Sequence, residues 1–153
     1  MERHPPWIAV IDDDPSVRQA LLRLLRSADI KGRAFASGAA FLGFATTTQP
    51  ACVVLDLHMP DISGFDLQSW LAQHWPDMPI IIMTGQDHPE TARRVMVHKP
   101  IAYLRKPMDE LLLLDAVTLG LQKSEEVTTA RFTVDAGLIN QDDLPDPGGK
   151  TGH

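Results

Sequence analysis

The stretch ACVVLDLHMPDISG, residues 51–64, combines a short β-branched apolar run with a carboxylate and turn-forming residues. Residues 51–55 are apolar throughout, which is typical of a strand buried on both faces. Asp56 follows directly, and Pro60 and Gly64 then indicate a loop. A carboxylate at the tip of a buried strand costs solvation free energy, so its position indicates a chemical role.

Apolar runs and segments of helical periodicity alternate along residues 7–121. Runs that are apolar on both faces and separated by helices indicate a parallel sheet covered on both sides, with right-handed crossovers. The predicted fold class is therefore α/β, a doubly wound five-stranded parallel sheet with five helices. We predict strands at 7–11, 33–36, 51–55, 79–83 and 101–104, and helices near 15–28, 37–44, 66–75, 88–97 and 108–121.

Length and composition are those of one folded domain, with 153 residues, 44% of them hydrophobic and 22% charged. The net charge of −6 gives no general attraction to nucleic acid or anionic lipid, so we expect neither direct nucleic acid binding nor membrane association. Cys52 is the single cysteine, which excludes an internal disulfide and suits a reducing, cytoplasmic location.

The composition changes after residue 122. Residues 123–153 carry six acidic and three basic residues, and the end of the chain is rich in proline and glycine. We predict a folded domain over 1–122 and an acidic, disordered tail over 123–153.

Polar residues of chemical interest follow the predicted strands. Asp12 and Asp13 follow the first strand, Asp56 the third, Thr84 the fourth and Lys106 the fifth. In an open α/β sheet, ligands bind beyond the carboxyl ends of the strands, where the strand order reverses. The strand order 2-1-3-4-5 is taken from known doubly wound folds. In that order the first and third strands flank the reversal point, so we expect the three carboxylates to meet there.

Three neighbouring carboxylates repel one another unless a cation lies among them. Mg²⁺ suits such a site because it is a hard ion that binds a few oxygens and keeps waters for a phosphate to displace. Asp56 is then placed to attack phosphorus as a nucleophile. Lys106 and Thr84 can cover the other phosphoryl oxygens, since phosphoryl transfer depends on positioning and charge neutralisation.

With these pieces in this order, the sequence resembles the receiver domain of bacterial two-component response regulators, over about residues 7–121. The matching segments are VIDDD at 10–14, LDLHMPDISG at 55–64, IMTG at 82–85 and YLRKP at 103–107. The Met-Pro-Asp-x-Ser-Gly and Thr-Gly pieces look most like FixJ-type receivers.

The resemblance implies a flavodoxin- or CheY-like fold and a phosphoacceptor function. Asp56 would be phosphorylated by a sensor histidine kinase. Asp13 and Asp56 would bind Mg²⁺ directly, together with the backbone carbonyl of His58, and Asp12 would act through water. The His58 side chain is then interpreted as facing solvent. Lys106 would contact the phosphoryl group.

The resemblance also implies how the signal is read. Thr84 would move toward the phosphoryl group and Tyr103 would swing inward behind it, and the Lys106–Pro107 peptide bond would be cis. The output surface would be the fourth helix, fifth strand and fifth helix, contacted by a downstream protein or by a second copy. Beyond its own phosphorylation and dephosphorylation, the chain would not be an enzyme.

One region departs from this pattern. Receivers usually carry a small Ala-Gly pair between the fourth helix and fifth strand, where this chain has VHKPI at 97–101. Pro100 removes a hydrogen-bond donor and constrains the residue before it, which predicts a stiffer junction or a shorter helix. A basic cluster is interpreted as a solvated helix face, with a docking patch as the alternative: Arg93, Arg94, His98 and Lys99.

Two other functions are alternatives to the phosphoacceptor interpretation. Asp12-x-Asp14 after a first strand also fits a haloacid-dehalogenase-type phosphohydrolase, with Asp12 as nucleophile and Asp14 as acid and base. That reading leaves Asp56 idle and lacks the expected late acidic pair. The second alternative is a receiver-like interaction module that is never phosphorylated.

Overall fold

The computed structural model describes residues 5–86 and 88–135. Strands and helices alternate strictly through this part of the chain. The strands are β1 Trp7–Ile11, β2 Lys31–Phe35, β3 Cys52–Asp56, β4 Ile80–Thr84 and β5 Ala102–Arg105. The helices are α1 Pro15–Ser27, α2 Gly38–Ala45, α3 Gly64–His74, α4 Pro89–Met96 and α5 Glu110–Asp135.

The five strands form one parallel sheet in the order β2-β1-β3-β4-β5, which confirms the predicted fold class. The central strands β1, β3 and β4 are buried along their whole length. This burial explains why their sequences are continuous apolar runs rather than alternating ones.

Helices cover both faces of the sheet, and each face has its own apolar core. On one face α1 and α5 pack against the strands through Leu21, Leu25, Leu113 and Val117. On the other face α2, α3 and α4 pack through Phe41, Leu67, Leu71 and Val95. The sheet thus lies between two layers of helices, and its strand ends remain available for functional side chains.

The edge strand β2 begins two residues earlier than predicted. Its first residues, Lys31 and Gly32, give no apolar signal, and Lys31 and Arg33 are exposed. Pairing with β1 determines its position, because Lys31 lies opposite Trp7 and Phe35 opposite Ile11. Edge strands often carry such charged side chains.

Helix α5 is longer than predicted: it continues past the predicted end at residue 121 and through residues 123–135. These residues contain neither proline nor glycine, so no breaker ends the helix before Asp135. Gly120 lies within the helix and does not end it. A Cβ at this position would come within 2.7 Å of Cys52 Sγ, so glycine permits close packing of the helix on the sheet. Residues 136–153 of the predicted tail lie outside the described residues.

The junction between α4 and β5 follows the physical expectation for Pro100. Helix α4 ends at Met96, one residue before the predicted end at 97. Lys99 has a φ of 51°, in the left-handed region. A residue before proline is disfavoured in the right-handed helical region, so the helix cannot continue through Lys99.

Candidate functional site

The registers of the central strands bring two acidic residues side by side. Ile11 lies opposite Leu55, so Asp12 and Asp56 leave the sheet next to each other. Asp12 is 0% exposed and Asp56 3% exposed. Asp13 is exposed beside them, and one carboxylate oxygen from each of the three residues lies within 4.8 Å of the others.

Lys106 reaches this cluster from the end of β5. Its Nζ lies 2.7 Å from Asp12 Oδ2 and 3.5 Å from Asp56 Oδ1. The Lys106 amide donates to the Thr84 carbonyl at 2.8 Å, which fixes the start of the loop, and the Lys106–Pro107 peptide bond is cis. The Lys106 ammonium therefore contacts two of the three carboxylates, and an excess of negative charge remains in the cluster.

The electrostatics of the site follow from burial and from these neighbours. Burial raises the pKa of Asp56, and the charge of Asp12 raises it further, while the Lys106 ammonium and the His58 amide oppose the shift. Burial by itself would lower the pKa of Lys106. The hydrogen bond to Asp12 and the charges of both buried carboxylates outweigh burial, so the pKa of Lys106 is raised.

Backbone contacts hold Asp12 in place. Its Oδ1 accepts from the Asp14 amide at 2.9 Å, and its carbonyl accepts from Arg18 Nη1 at 2.8 Å. Asp14 itself caps α1, because its side chain accepts from the Ser16 amide at 2.9 Å. The contact from Arg18 was not predicted, since a single arginine on a helix carries no distinguishing signal.

Gly64 shapes the loop that follows Asp56. Its amide donates to the Leu57 carbonyl at 2.9 Å. A Cβ at position 64 would lie 2.4 Å from Leu57 Cα and 2.6 Å from the Asp56 carbonyl oxygen. Only glycine fits such a close approach of backbone to backbone, so the sequence folds the loop tightly against the end of β3.

Thr84 lies at the end of β4 and is fully buried. Its Oγ1 donates to the Gln86 carbonyl at 2.9 Å, accepts from the Gln86 amide at 3.1 Å, and lies 3.4 Å from His58 Nε2. His58 is exposed, as the solvent-facing interpretation expected, but its ring also contacts Thr84. Tyr103 is partly buried on β5, against the apolar core on the α2–α3–α4 face.

The donor set suits a hard divalent cation. Carboxylate oxygens are the preferred ligands of Mg²⁺, and the three acidic residues lie close enough for their oxygens to share one ion. Such an ion would offset the negative charge that Lys106 leaves uncompensated.

A family model described as the response regulator receiver domain matches residues 8–118. This match spans most of the chain, and the chain therefore belongs to the response regulator receiver family of two-component signalling. The resemblance stated from the sequence is confirmed.

Two curated relatives are similar to the chain over most of its length. The chain is 35% identical over 119 residues to the transcriptional regulatory protein FixJ of Azorhizobium caulinodans, covering 78% of this chain and 56% of the relative. It is 33% identical over 127 residues to the nodulation protein W of Bradyrhizobium diazoefficiens, covering 83% of this chain and 56% of the relative. The chain thus spans about half the length of these relatives.

Solved structures agree with the fold. The response regulator StyR is 40% identical, with a TM-score of 0.79 over 87% of this chain and 67% of that one. The structure named FixJ-N is 26% identical, with a TM-score of 0.70 over 78% of this chain and 96% of that one.

The phosphohydrolase alternative is disfavoured by the site. Its nucleophile would be Asp12, whose Oδ2 is bound by Lys106 and whose Oδ1 accepts from the Asp14 amide. Its acid and base would be Asp14, whose carboxylate is engaged in capping α1. That function would also leave the buried Asp56 carboxylate, whose Oδ1 lies 3.5 Å from Lys106 Nζ, without a role.

No helix among the residues that the structure describes is long and apolar enough to cross a membrane.

Proposed function

We propose that this receiver is phosphorylated on Asp56 by a sensor histidine kinase, with Mg²⁺ held directly by Asp13, Asp56 and the backbone carbonyl of His58, and by Asp12 through water. One observation carries the proposal: the buried Asp56 carboxylate lies beside two further carboxylates and within 3.5 Å of the Lys106 ammonium. A lone buried carboxylate would be costly, but this arrangement suits a phosphoryl group, whose oxygens need a cation and an ammonium nearby.

The reaction follows from the chemistry of these groups. The Asp56 carboxylate attacks the phosphorus of a phosphohistidine, an O–P bond forms, and the P–N bond breaks as the imidazole nitrogen leaves with the electron pair. Mg²⁺, when bound, supplies charge neutralisation for the phosphoryl oxygens. Lys106 pairs with one phosphoryl oxygen, and the Thr84 hydroxyl donates to another once it has moved.

Thr84 and Tyr103 serve as the switch in this proposal, and the output surface is α4, β5 and α5. The exposed apolar side chains support that surface. Among the described residues, the large hydrophobic side chains with the greatest exposure lie at the end of α4 or directly after it, and on α5: Met96, Val97, Leu111, Leu112 and Leu119. Exposed apolar side chains suit a protein partner, either a downstream target or a second copy.

The proposal includes no further enzymatic activity, and no direct contact with nucleic acid or membrane. The cytoplasmic location expected from the sequence stays a prediction. It is supported by the single cysteine, which suits a reducing compartment.

Acetyl phosphate with Mg²⁺ tests the proposal directly. We expect the intact mass to increase by one phosphoryl group, peptide mapping to place it on Asp56, and Asp56→Asn to remain unmodified. Modification of Asp12 with turnover of phosphate esters would instead support the phosphohydrolase. Absence of any Mg²⁺-dependent modification would support the non-phosphorylated module. Size analysis of the same samples shows whether phosphorylation drives self-association.

A further inference from the structure

The Thr84 hydroxyl has its full set of hydrogen-bond partners before any phosphoryl group arrives. A hydroxyl offers one proton and two lone pairs. The proton goes to the Gln86 carbonyl, and one lone pair accepts from the Gln86 amide. The remaining lone pair faces His58 Nε2 at 3.4 Å, so the ring nitrogen must be the donor in this contact.

His58 also contacts the phosphoacceptor itself. Its backbone amide donates to Asp56 Oδ1 at 3.4 Å, while its ring reaches across from the β3–α3 loop to the end of β4. One residue therefore bridges the carboxylate that would receive the phosphoryl group and the threonine that would respond to it.

We propose that His58 is a positioning residue that holds the Thr84 hydroxyl in its resting place, turned toward Gln86. This inference rests on the proposed function, in which Thr84 must withdraw its proton from the Gln86 carbonyl to donate to a phosphoryl oxygen. Gln86 binds Thr84 through its backbone, whereas His58 does so through its side chain. A substitution at position 58 can therefore change how readily the Thr84 hydroxyl leaves its resting position, whereas the backbone contacts of Gln86 do not depend on its side chain.

The effect of this contact is modest. A single long hydrogen bond is expected to change the ratio of resting to switched protein about two- to five-fold. Loss of the ring should therefore favour the switched state by that factor, and a side chain that restores the donor should reverse the change.

Beryllofluoride with Mg²⁺, a phosphoryl mimic, tests the inference by NMR titration of the full chain. We expect the beryllofluoride concentration at the titration midpoint to fall about two- to five-fold in His58→Ala. His58→Gln, whose side-chain amide nitrogen can take the place of Nε2, should return to the wild-type midpoint. His58→Asn is too short to reach Thr84 and should resemble His58→Ala.

A double-mutant comparison separates positioning from a general effect on the loop. In a Thr84→Val background the hydroxyl is gone, so His58→Ala should leave the midpoint unchanged. The inference would be overturned if His58→Ala had an equal effect in both backgrounds. It would also be overturned if His58→Ala, in the protein that keeps Thr84, left the midpoint unchanged or raised it.

Hydrogen exchange of the Gln86 amide provides a measurement without Mg²⁺ or beryllofluoride. This amide donates to Thr84 Oγ1, so its exchange should be about two- to five-fold faster in His58→Ala than in wild type or His58→Gln. A wild-type protein that does not respond to beryllofluoride would contradict the proposed function. The Gln86 exchange rates would still decide the role of His58, and equal rates in all variants would overturn it.

Discussion

Lys106 and Asp12 form an ion pair of 2.7 Å between Nζ and Oδ2, although 94 positions separate them in sequence. The pair joins the end of β5 to the end of β1 across the top of β3 and β4. Asp12 is fully buried, and Lys106 retains some exposure, so the carboxylate depends on this ammonium more than the ammonium depends on it.

Removing the ammonium should therefore destabilise the protein. We expect Lys106→Met to lower the free energy of unfolding by about 2 kcal/mol, since it leaves Asp12 buried beside Asp56 without its charged partner. Urea unfolding in a Mg²⁺-free buffer measures the loss. Lys31→Met, at the exposed start of β2, is the matched control and should unfold like wild type. Equal stability of Lys106→Met and wild type would show that the ion pair contributes nothing.

The raised pKa of Asp56 predicts a specific pH dependence. Because this pKa is higher in the folded than in the unfolded chain, ionisation penalises the folded state as pH rises above the ordinary value of 3.8. The penalty is complete above the folded-state pKa. In Mg²⁺-free buffer, Asp56→Asn should therefore be more stable than wild type near neutral pH, and the difference should disappear as pH falls toward 3.8.

Thermal unfolding across pH measures this difference. Asp115→Asn, which replaces an exposed acid on α5, should track the wild-type profile throughout. A constant offset between Asp56→Asn and wild type at every pH would mean that the carboxylate is not the source of the effect.

Mg²⁺ should stabilise the folded chain in a way that depends on Asp13. At a hundredfold excess over its dissociation constant, one bound ion adds about 2.7 kcal/mol to the free energy of unfolding. Asp13→Ala removes one of the three carboxylates and should lose most of this gain. Unfolding midpoints with and without MgCl₂ measure it.

Asp14→Ala is the matched control for the Mg²⁺ experiment. This neighbouring acid caps α1, so its loss should lower the baseline stability but leave the Mg²⁺ response intact. The same Mg²⁺ response in Asp13→Ala and Asp14→Ala would remove Asp13 from the metal site.

The central sheet and its polar strand ends could be predicted because each is encoded locally. A continuous apolar run followed by Asp56, or by Thr84, specifies a buried parallel strand and the group at its tip. The strand order, which decides which tips meet, came from knowledge of similar folds, since no local pattern encodes it. The structure confirms that order.

What could not be predicted depends on contacts between distant residues. Gln68 lies buried on α3, where its side-chain nitrogen donates to the Val95 carbonyl near the end of α4 at 3.0 Å. Nothing in the sequence around Gln68 distinguishes it from a solvated glutamine. The contact of His58 with Thr84 is of the same kind, because its 26-residue separation is closed only by the pairing of β3 with β4.

Gly64 provides the most direct test of how the loop after Asp56 is built. Gly64→Ala would place a Cβ 2.4 Å from Leu57 Cα, so the backbone must shift. We expect a loss of roughly 2–3 kcal/mol in the free energy of unfolding, as for overpacked sites, with a weaker Mg²⁺ response because the loop adjoins the carboxylates. Chemical unfolding with and without Mg²⁺ measures both effects.

Gly43→Ala is the matched control within helix α2. A Cβ at position 43 meets nothing within 4 Å, so the substitution adds no clash. Alanine is favoured over glycine inside a helix by up to about 1 kcal/mol, and Gly43→Ala should therefore be slightly more stable than wild type with an unchanged Mg²⁺ response. If the two alanine variants had the same stability, the close approach at Gly64 would not be what requires glycine there, and the tight loop beside Asp56 would need another cause.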